Sequence, residues 1–201
     1  MGFGLLFAGY VSLLFFKTLP PAMAAGFFIA YRGLAKLAGY HRPFGAAASA
    51  AAVLVGYFAL YTALWLGQLF RVWTLLTNGV FLFADDLVYK ALLLVFHLLL
   101  YRATGGLCRE VGDTKGVRGT ASATVFMAAA YLFAAARYGA GAFGIVGYFP
   151  LAELIAVTLW ICRTAVMIYG RYMRIATPEI IDDENKKMRE YDAKYSFRKR
   201  K

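Results

Sequence analysis

Residues 45–70 read GAAASAAAVLVGYFALYTALWLGQLF, an unbroken run without a charged side chain. A helix rises about 1.5 Å per residue, so about 20 apolar residues cross a hydrocarbon core of roughly 30 Å. This stretch exceeds that length. Arg42-Pro43 precedes it and Arg71 closes it, so its ends carry the charge that its middle lacks. The reading is a transmembrane helix, and it sets the class of the whole protein.

Working outward, comparable runs recur along the chain. Gly2–Phe16 is apolar and ends at Lys17 and Pro20-Pro21; residues 22–38 follow, with Arg32 and Lys36 near the far end. Such long basic stems reach the headgroups from inside a span. Further runs cover 84–102, 120–138 and 149–170. Residues 72–83 are apolar but broken by Thr77-Asn78-Gly79, a turn signal, and read as an interfacial or re-entrant segment. The expected architecture is all-α: a polytopic helix bundle over 1–170, with six spans near 2–18, 22–38, 45–70, 84–102, 120–138 and 149–170. A basic cytoplasmic tail follows over 171–201, carrying a short charged helix from Thr177-Pro178-Glu179. Residues 105–119, GGLCREVGDTKGVRG, form the expected polar loop between the fourth and fifth spans.

Composition agrees. The chain of 201 residues is 61% hydrophobic and 16% charged, against about 45–50% and about 25% for soluble domains. Its net charge of +11 would suit nucleic acid, but the basic residues sit at the ends of apolar runs and in the tail. Counted by side, seventeen Lys and Arg fall at the ends of the spans that would face the cytoplasm, and only Lys17, Arg71 and Arg137 fall opposite. Positive charge is retained on the cytoplasmic side. Both ends of the chain are therefore expected there, in the plasma membrane, with no nucleic-acid partner. Residues 3–16 and Ala22-Met23-Ala24 resemble a signal sequence and cleavage site, but no basic residue precedes the run, so a retained span is expected. Cys108 and Cys162 form no CxxC or metal spacing; no disulfide, metal or cofactor is expected, and Cys108 is read as a loop residue.

Polar residues at membrane depth are costly and point to function or to pairing. Asp86, Lys90, His97 and Tyr101 share one face of the fourth span, with Asp86 and Lys90 at i, i+4. The pair Asp85-Asp86 reads as the acidic start of that helix. Glu153 and Arg163 lie in the sixth span. A candidate polar path therefore comprises Asp86, Lys90 and Glu153 toward the outer side, joined by Arg137, Gln68 and Arg71, and His97 and Arg163 toward the inner side. The competing reading is a set of buried pairs that fix helix packing. At the tail, Arg198, Lys199, Arg200 and Lys201 are candidate contacts for anionic headgroups. Small-residue pairs four apart, Gly26/Ala30, Ala47/Ala51, Ala48/Ala52, Ala59/Ala63 and Ala130/Ala134, mark expected packing faces.

The start MGFGLLFAGY, the Cys108-Arg109-Glu110-Val111-Gly112 segment and Tyr172-Met173-Arg174-Ile175 before a charged tail resemble small multi-pass membrane proteins of clostridia-like bacteria. No activity is assigned to that group. The resemblance implies a bacterial plasma-membrane setting and no site residues.

HExxH, GxSxG and P-loop patterns are absent from the sequence. A non-enzymatic role is expected: assembly, anchoring or interaction, with a membrane-protein partner or a second copy. The alternatives are a small transporter or channel-like subunit using the polar path and, further off, an intramembrane enzyme. For topology, cysteines at positions 112 and 142 should react differently with an impermeant maleimide applied outside, 112 protected and 142 labelled; the reverse pattern overturns the orientation.

Overall fold

Proline and asparagine decide where the helices begin. A proline at N1 or N2 has no N–H to waste and a backbone angle already suited to a helix, and three helices use one in this way. The computed structural model describes residues 2–15, 18–72, 75–142 and 147–173. Among them run six α-helices and no strand: α1 (Gly2–Val11), α2 (Pro20–Ala38), α3 (Pro43–Leu69), α4 (Gly79–Glu110), α5 (Thr114–Ala142) and α6 (Phe149–Tyr172). Short 3₁₀ turns cover Ser12–Phe15 and Leu75–Thr77. Three of these helical segments are long and apolar enough to cross a membrane: Pro43–Leu69, Thr114–Gly141 and Phe149–Tyr172.

Two sequence expectations need correction around α4. The turn at Thr77-Asn78-Gly79 is real, but it starts the fourth helix. The Asn78 side chain accepts from the backbone N–H groups of Val80 and Phe81, capping α4 five residues before the expected start. Asp85 and Asp86 therefore lie about two turns inside the helix and do not cap it. At the other end, the expected loop 105–119 is mostly helical. Glycine pairs and charges suggested irregular chain, yet α4 continues to Glu110 and α5 starts at Thr114. The reversal needs only Val111–Asp113. Gly112 takes it at φ 70°, in the left-handed region, and the Asp113 side chain accepts from the Gly116 N–H to cap α5. Cys108 thus belongs to α4 and is fully buried. Its strained φ makes position 112 poor for labelling, and exposed Val111 serves in its place.

Short connections make each helix pack on the next, and α1 also packs on α6, so the six close into a ring in chain order. The crossing of α1 on α2 is the tightest. A Cβ added at Gly33 would sit 2.6 Å from the Leu6 nitrogen and 2.7 Å from the Gly2 oxygen, so the two backbones touch only because that position has none. Of the expected small-residue faces, Gly26/Ala30, Ala47/Ala51 and Ala130/Ala134 are buried between helices, whereas Ala52, Ala59 and Ala63 face outward. Outward faces are strongly apolar: Leu60 is 71% exposed and Leu132 70%. The predicted tail helix and Arg198, Lys199, Arg200 and Lys201 lie outside the described residues, as does Lys17.

Gly33→Ala should overpack the α1–α2 crossing and cost about 1–3 kcal/mol, seen as a lower unfolding midpoint in detergent. Gly56→Ala, where an added methyl meets open space, should leave the midpoint unchanged.

Candidate functional site

Asp86 and Lys90 of α4 find their partners on two other helices. Lys90 Nζ lies 3.0 Å from Asp86 Oδ2, one turn earlier on α4, and 2.6 Å from Glu153 Oε1 on α6. Arg137 on α5 completes the set: Nη2 is 3.1 Å from Asp86 Oδ2 and Nε is 2.8 Å from Glu153 Oε2. Two acids and two bases alternate around a closed quartet. Tyr138 adds a fifth member, accepting from Lys90 at 3.0 Å and donating to Asp86. Its ring lies under both cations, 4.7 Å from Lys90 Nζ and 5.0 Å from the Arg137 guanidinium carbon, an attraction worth roughly 0.5–1 kcal/mol for an exposed pair and more when desolvated.

The bookkeeping of donors is complete at the lysine. An ammonium has three N–H donors, and Lys90 faces three acceptors, on Asp86, Glu153 and Tyr138. Glu153 gives one oxygen to Lys90, while its other, Oε2, lies 2.8 Å from Arg137 Nε as an ion pair without a hydrogen bond. Adjacent Asp85 points elsewhere and accepts from the Tyr57 hydroxyl of α3 at 2.6 Å. Consecutive helix positions diverge by about 100°, so the two acids tie α4 to different neighbours. Gln68 and Arg71, expected to join this set, make no ion pair with it among the described residues.

Above the quartet opens a cleft of about 330 Å³, lined by Asp86, Lys90, Arg137, Pro150, Glu153 and Leu154 among others. Deeper lies a smaller cavity of about 60 Å³, which shares Lys90 and Glu153 and reaches Tyr131 and Trp160. The cavity exists because α4 and α6 stand apart. No Cα of one approaches a Cα of the other within 8 Å among the described residues, so only long side chains bridge them.

His97 fills the middle of the ring and is fully buried. Its Nδ1 is 2.7 Å from the Leu93 carbonyl, which can only accept, so Nδ1 carries the proton. Nε2 is then the acceptor for the Tyr10 hydroxyl of α1 at 2.6 Å. Both ring nitrogens are satisfied in the neutral tautomer. Phe96, Tyr10, Tyr101 and Trp160 pack around the ring, the last at a centroid distance of 4.4 Å. Trp160 Nε1 donates to the Tyr101 hydroxyl at 2.8 Å, and Tyr101 meets Thr164 at 2.5 Å.

His97 and Arg163, expected to meet, are not brought together. Trp160 and Thr164 occupy the α6 stripe that faces α4. Arg163 lies about 100° around the helix from Thr164 and donates instead to Ser122 of α5 at 3.0 Å. The candidate path of Asp86, Lys90, His97, Glu153 and Arg163 therefore divides into the quartet, a sealed histidine and a separate α5–α6 contact.

Sequence reasoning overlooked a second ion pair. Arg171, assigned to the tail, is 4% exposed. It reaches between α4 and α5 to pair with Asp113, with Nη1 3.7 Å from the Cys108 sulfur. A Gly at 116 leaves room for its head. The signal was present in outline, since the expected loop 105–119 holds an acid at Asp113 and the last apolar run ends on a base at Arg171. Among the described residues no group of three or more His, Cys, Asp or Glu could hold a metal ion. Compared with protein-family models, curated proteins and solved structures, the chain matches none.

Tyr10→Phe leaves His97 Nε2 without its donor while preserving shape. The expected loss is about 1–3 kcal/mol for a buried unsatisfied acceptor, measurable as a shift of the denaturation midpoint in detergent; an unchanged midpoint refutes the central role of this bond.

Proposed function

We propose that this chain is a six-span protein of a bacterial plasma membrane, with both of its ends on the cytoplasmic side, that works without catalysis in membrane assembly or anchoring. The observation that carries the reading is the closure of the Asp86–Lys90–Glu153–Arg137 quartet. Each charge in it meets two of opposite sign, and Lys90 has no donor left to offer a solute. A relay needs a group with a vacancy; a clasp does not. The neutral, doubly bonded His97 supports the same conclusion, since a proton switch needs a path to water and this ring lies in an aromatic shell.

Lengths support six spans. At about 1.5 Å per residue, α4 with its 32 residues covers about 48 Å and α2 with 19 covers about 28 Å. Gly2–Phe15 covers about 23 Å, allowing about 2.0 Å per residue in its 3₁₀ turn, a mismatch that local thinning of the bilayer absorbs. The ring alternates up and down, so the basic ends of α2, α4 and α6 share one face with the α2–α3 and α4–α5 turns, and this agrees with the charge asymmetry of the sequence. An apolar groove of about 310 Å³ between α5 and α6, lined by Phe126, Ala129, Phe133, Ala152 and Ile155 among others, suits a partner helix or a second copy.

One observation favours a second reading, a small transporter or channel-like subunit: the cleft over the quartet is open, and it shares Lys90 and Glu153 with the smaller cavity. The two readings separate in reconstituted vesicles. As a scaffold, the wild type should carry no proton or solute flux above empty vesicles; flux that disappears in Lys90→Ala and Glu153→Ala would establish the transporter instead. Mild-detergent copurification from native membranes should recover a membrane-protein partner or a second copy, and a lone monomer sinks the assembly reading.

As a clasp, the quartet makes a further quantitative prediction. Glu153→Ala removes one partner of a buried pair and should destabilise by about 3–5 kcal/mol. Lys90→Met with Glu153→Met keeps the charge balance, leaves Asp86 with Arg137, and should cost less than Glu153→Ala alone. Additive losses in a double-mutant cycle would show that the two residues act independently.

A further inference from the structure

Two clefts border α4 toward its opposite ends, and they differ in charge. The outer one, between α4 and α6, holds the neutralised quartet. The inner one is a cleft of about 340 Å³ lined on α4 by Leu98, Arg102 and Arg109 and on α5 by Val117, Thr120 and Ala121, among others. Among the described residues no acid lines it. Arg102 and Arg109 are seven residues apart, two turns along one face. Both are exposed, and neither donates to a carboxylate among the described residues. The neighbouring acids are already engaged: Glu110 lies 3.2 Å from His41 Nδ1, and Asp113 pairs with Arg171. Among the described residues no carboxylate pairs with the two guanidiniums, which present their charge to the cleft.

We infer that this cleft binds the phosphate headgroup of an anionic phospholipid. Guanidinium forks match phosphate oxygens in pairs. The hydroxyl of Thr120 is spent on the Gly116 carbonyl at 3.0 Å, so charge and not neutral donors does the binding, as suits a phosphodiester. One helical turn deeper the α4 wall is apolar at Leu98, and the α5 wall is Ala121 and then Thr124, whose hydroxyl is spent on the Thr120 carbonyl at 3.0 Å. A free phosphate has no use for that wall, whereas an acyl chain lies along it. Basic pockets between spanning helices at the cytoplasmic side hold such headgroups. The inference rests on the six-span reading, which puts this cleft in the inner leaflet.

The test is native mass spectrometry of the detergent-solubilised full chain titrated with phosphatidylglycerol or phosphatidylcholine. Each interfacial basic side chain contributes on the order of fivefold, so Arg102→Gln with Arg109→Gln should weaken phosphatidylglycerol binding about thirtyfold. Arg118→Gln, an exposed base that does not line the cleft, should leave it unchanged, and unfolding midpoints confirm that each variant is folded. Equal retention by wild type and double variant overturns the site. Equal retention of phosphatidylcholine overturns the anionic preference. Displacement by millimolar inorganic phosphate makes it a soluble-anion site and overturns the lipid reading. Labelling of Val111→Cys in a cysteine-free background reads the orientation separately, so a wrong topology and a wrong site give different results.

Discussion

A ring of helices leaves a middle that must be filled without water, and His97 is where this protein fills it. The residue is polar, yet every polar atom of its ring is used: one nitrogen on its own helix at Leu93, the other on Tyr10 across the ring. An unsatisfied polar group in that position would cost about as much as several good packing contacts return. The aromatic shell of Phe96, Tyr101 and Trp160 then has a fixed object to pack on. Because Tyr10 belongs to α1 and Trp160 to α6, the same contacts hold the ring closed between its first and last helices.

The gap between α4 and α6 follows from this choice. Helices kept apart by a tryptophan and a tyrosine cannot also meet through small residues. The separation is spanned by long side chains, and the Lys90–Glu153 pair is one of the bridges. Buried ion pairs add little stability when compared with well-packed apolar residues, but they are strict about geometry and punish the loss of one partner. The quartet is thus read best as a device for register among α4, α5 and α6. Arg171 and Asp113 repeat the arrangement at the other end of the same three helices. Beside these clasps two clefts remain, one between α4 and α6 that is electrically closed and one between α4 and α5 that is open.

Contrast with the α1–α2 crossing makes the division plain. There Gly33 allows backbones to touch, and packing alone holds the pair. Such close approach suits an apolar solvent, which supplies no hydrophobic force between helices. The bundle therefore uses two kinds of joint: backbone contact where α1 crosses α2, and polar side-chain bridges where α4 faces α6.

Some of this was legible in the residues. Run lengths and composition gave a helical, apolar protein, and Pro20-Pro21 and Pro43 marked breaks between runs, because both signals are local. The i, i+4 relation of Asp86 and Lys90 was likewise legible, since helix geometry puts them one turn apart whatever surrounds them. The convergence of Arg137 and Glu153 on that pair could be suggested from depth alone. The loop at 105–119 was misread because glycines and charges look irregular in isolation, whereas the burial of Cys108 and the capping by Asp113 make that segment helical. Which helix faces which was decided only by tertiary structure. Arg163 turned to Ser122 and not to His97 because the rotation of α6 about its axis is set by Trp160 and Thr164 meeting Tyr101, and no spacing within one helix encodes the neighbour it will be turned toward.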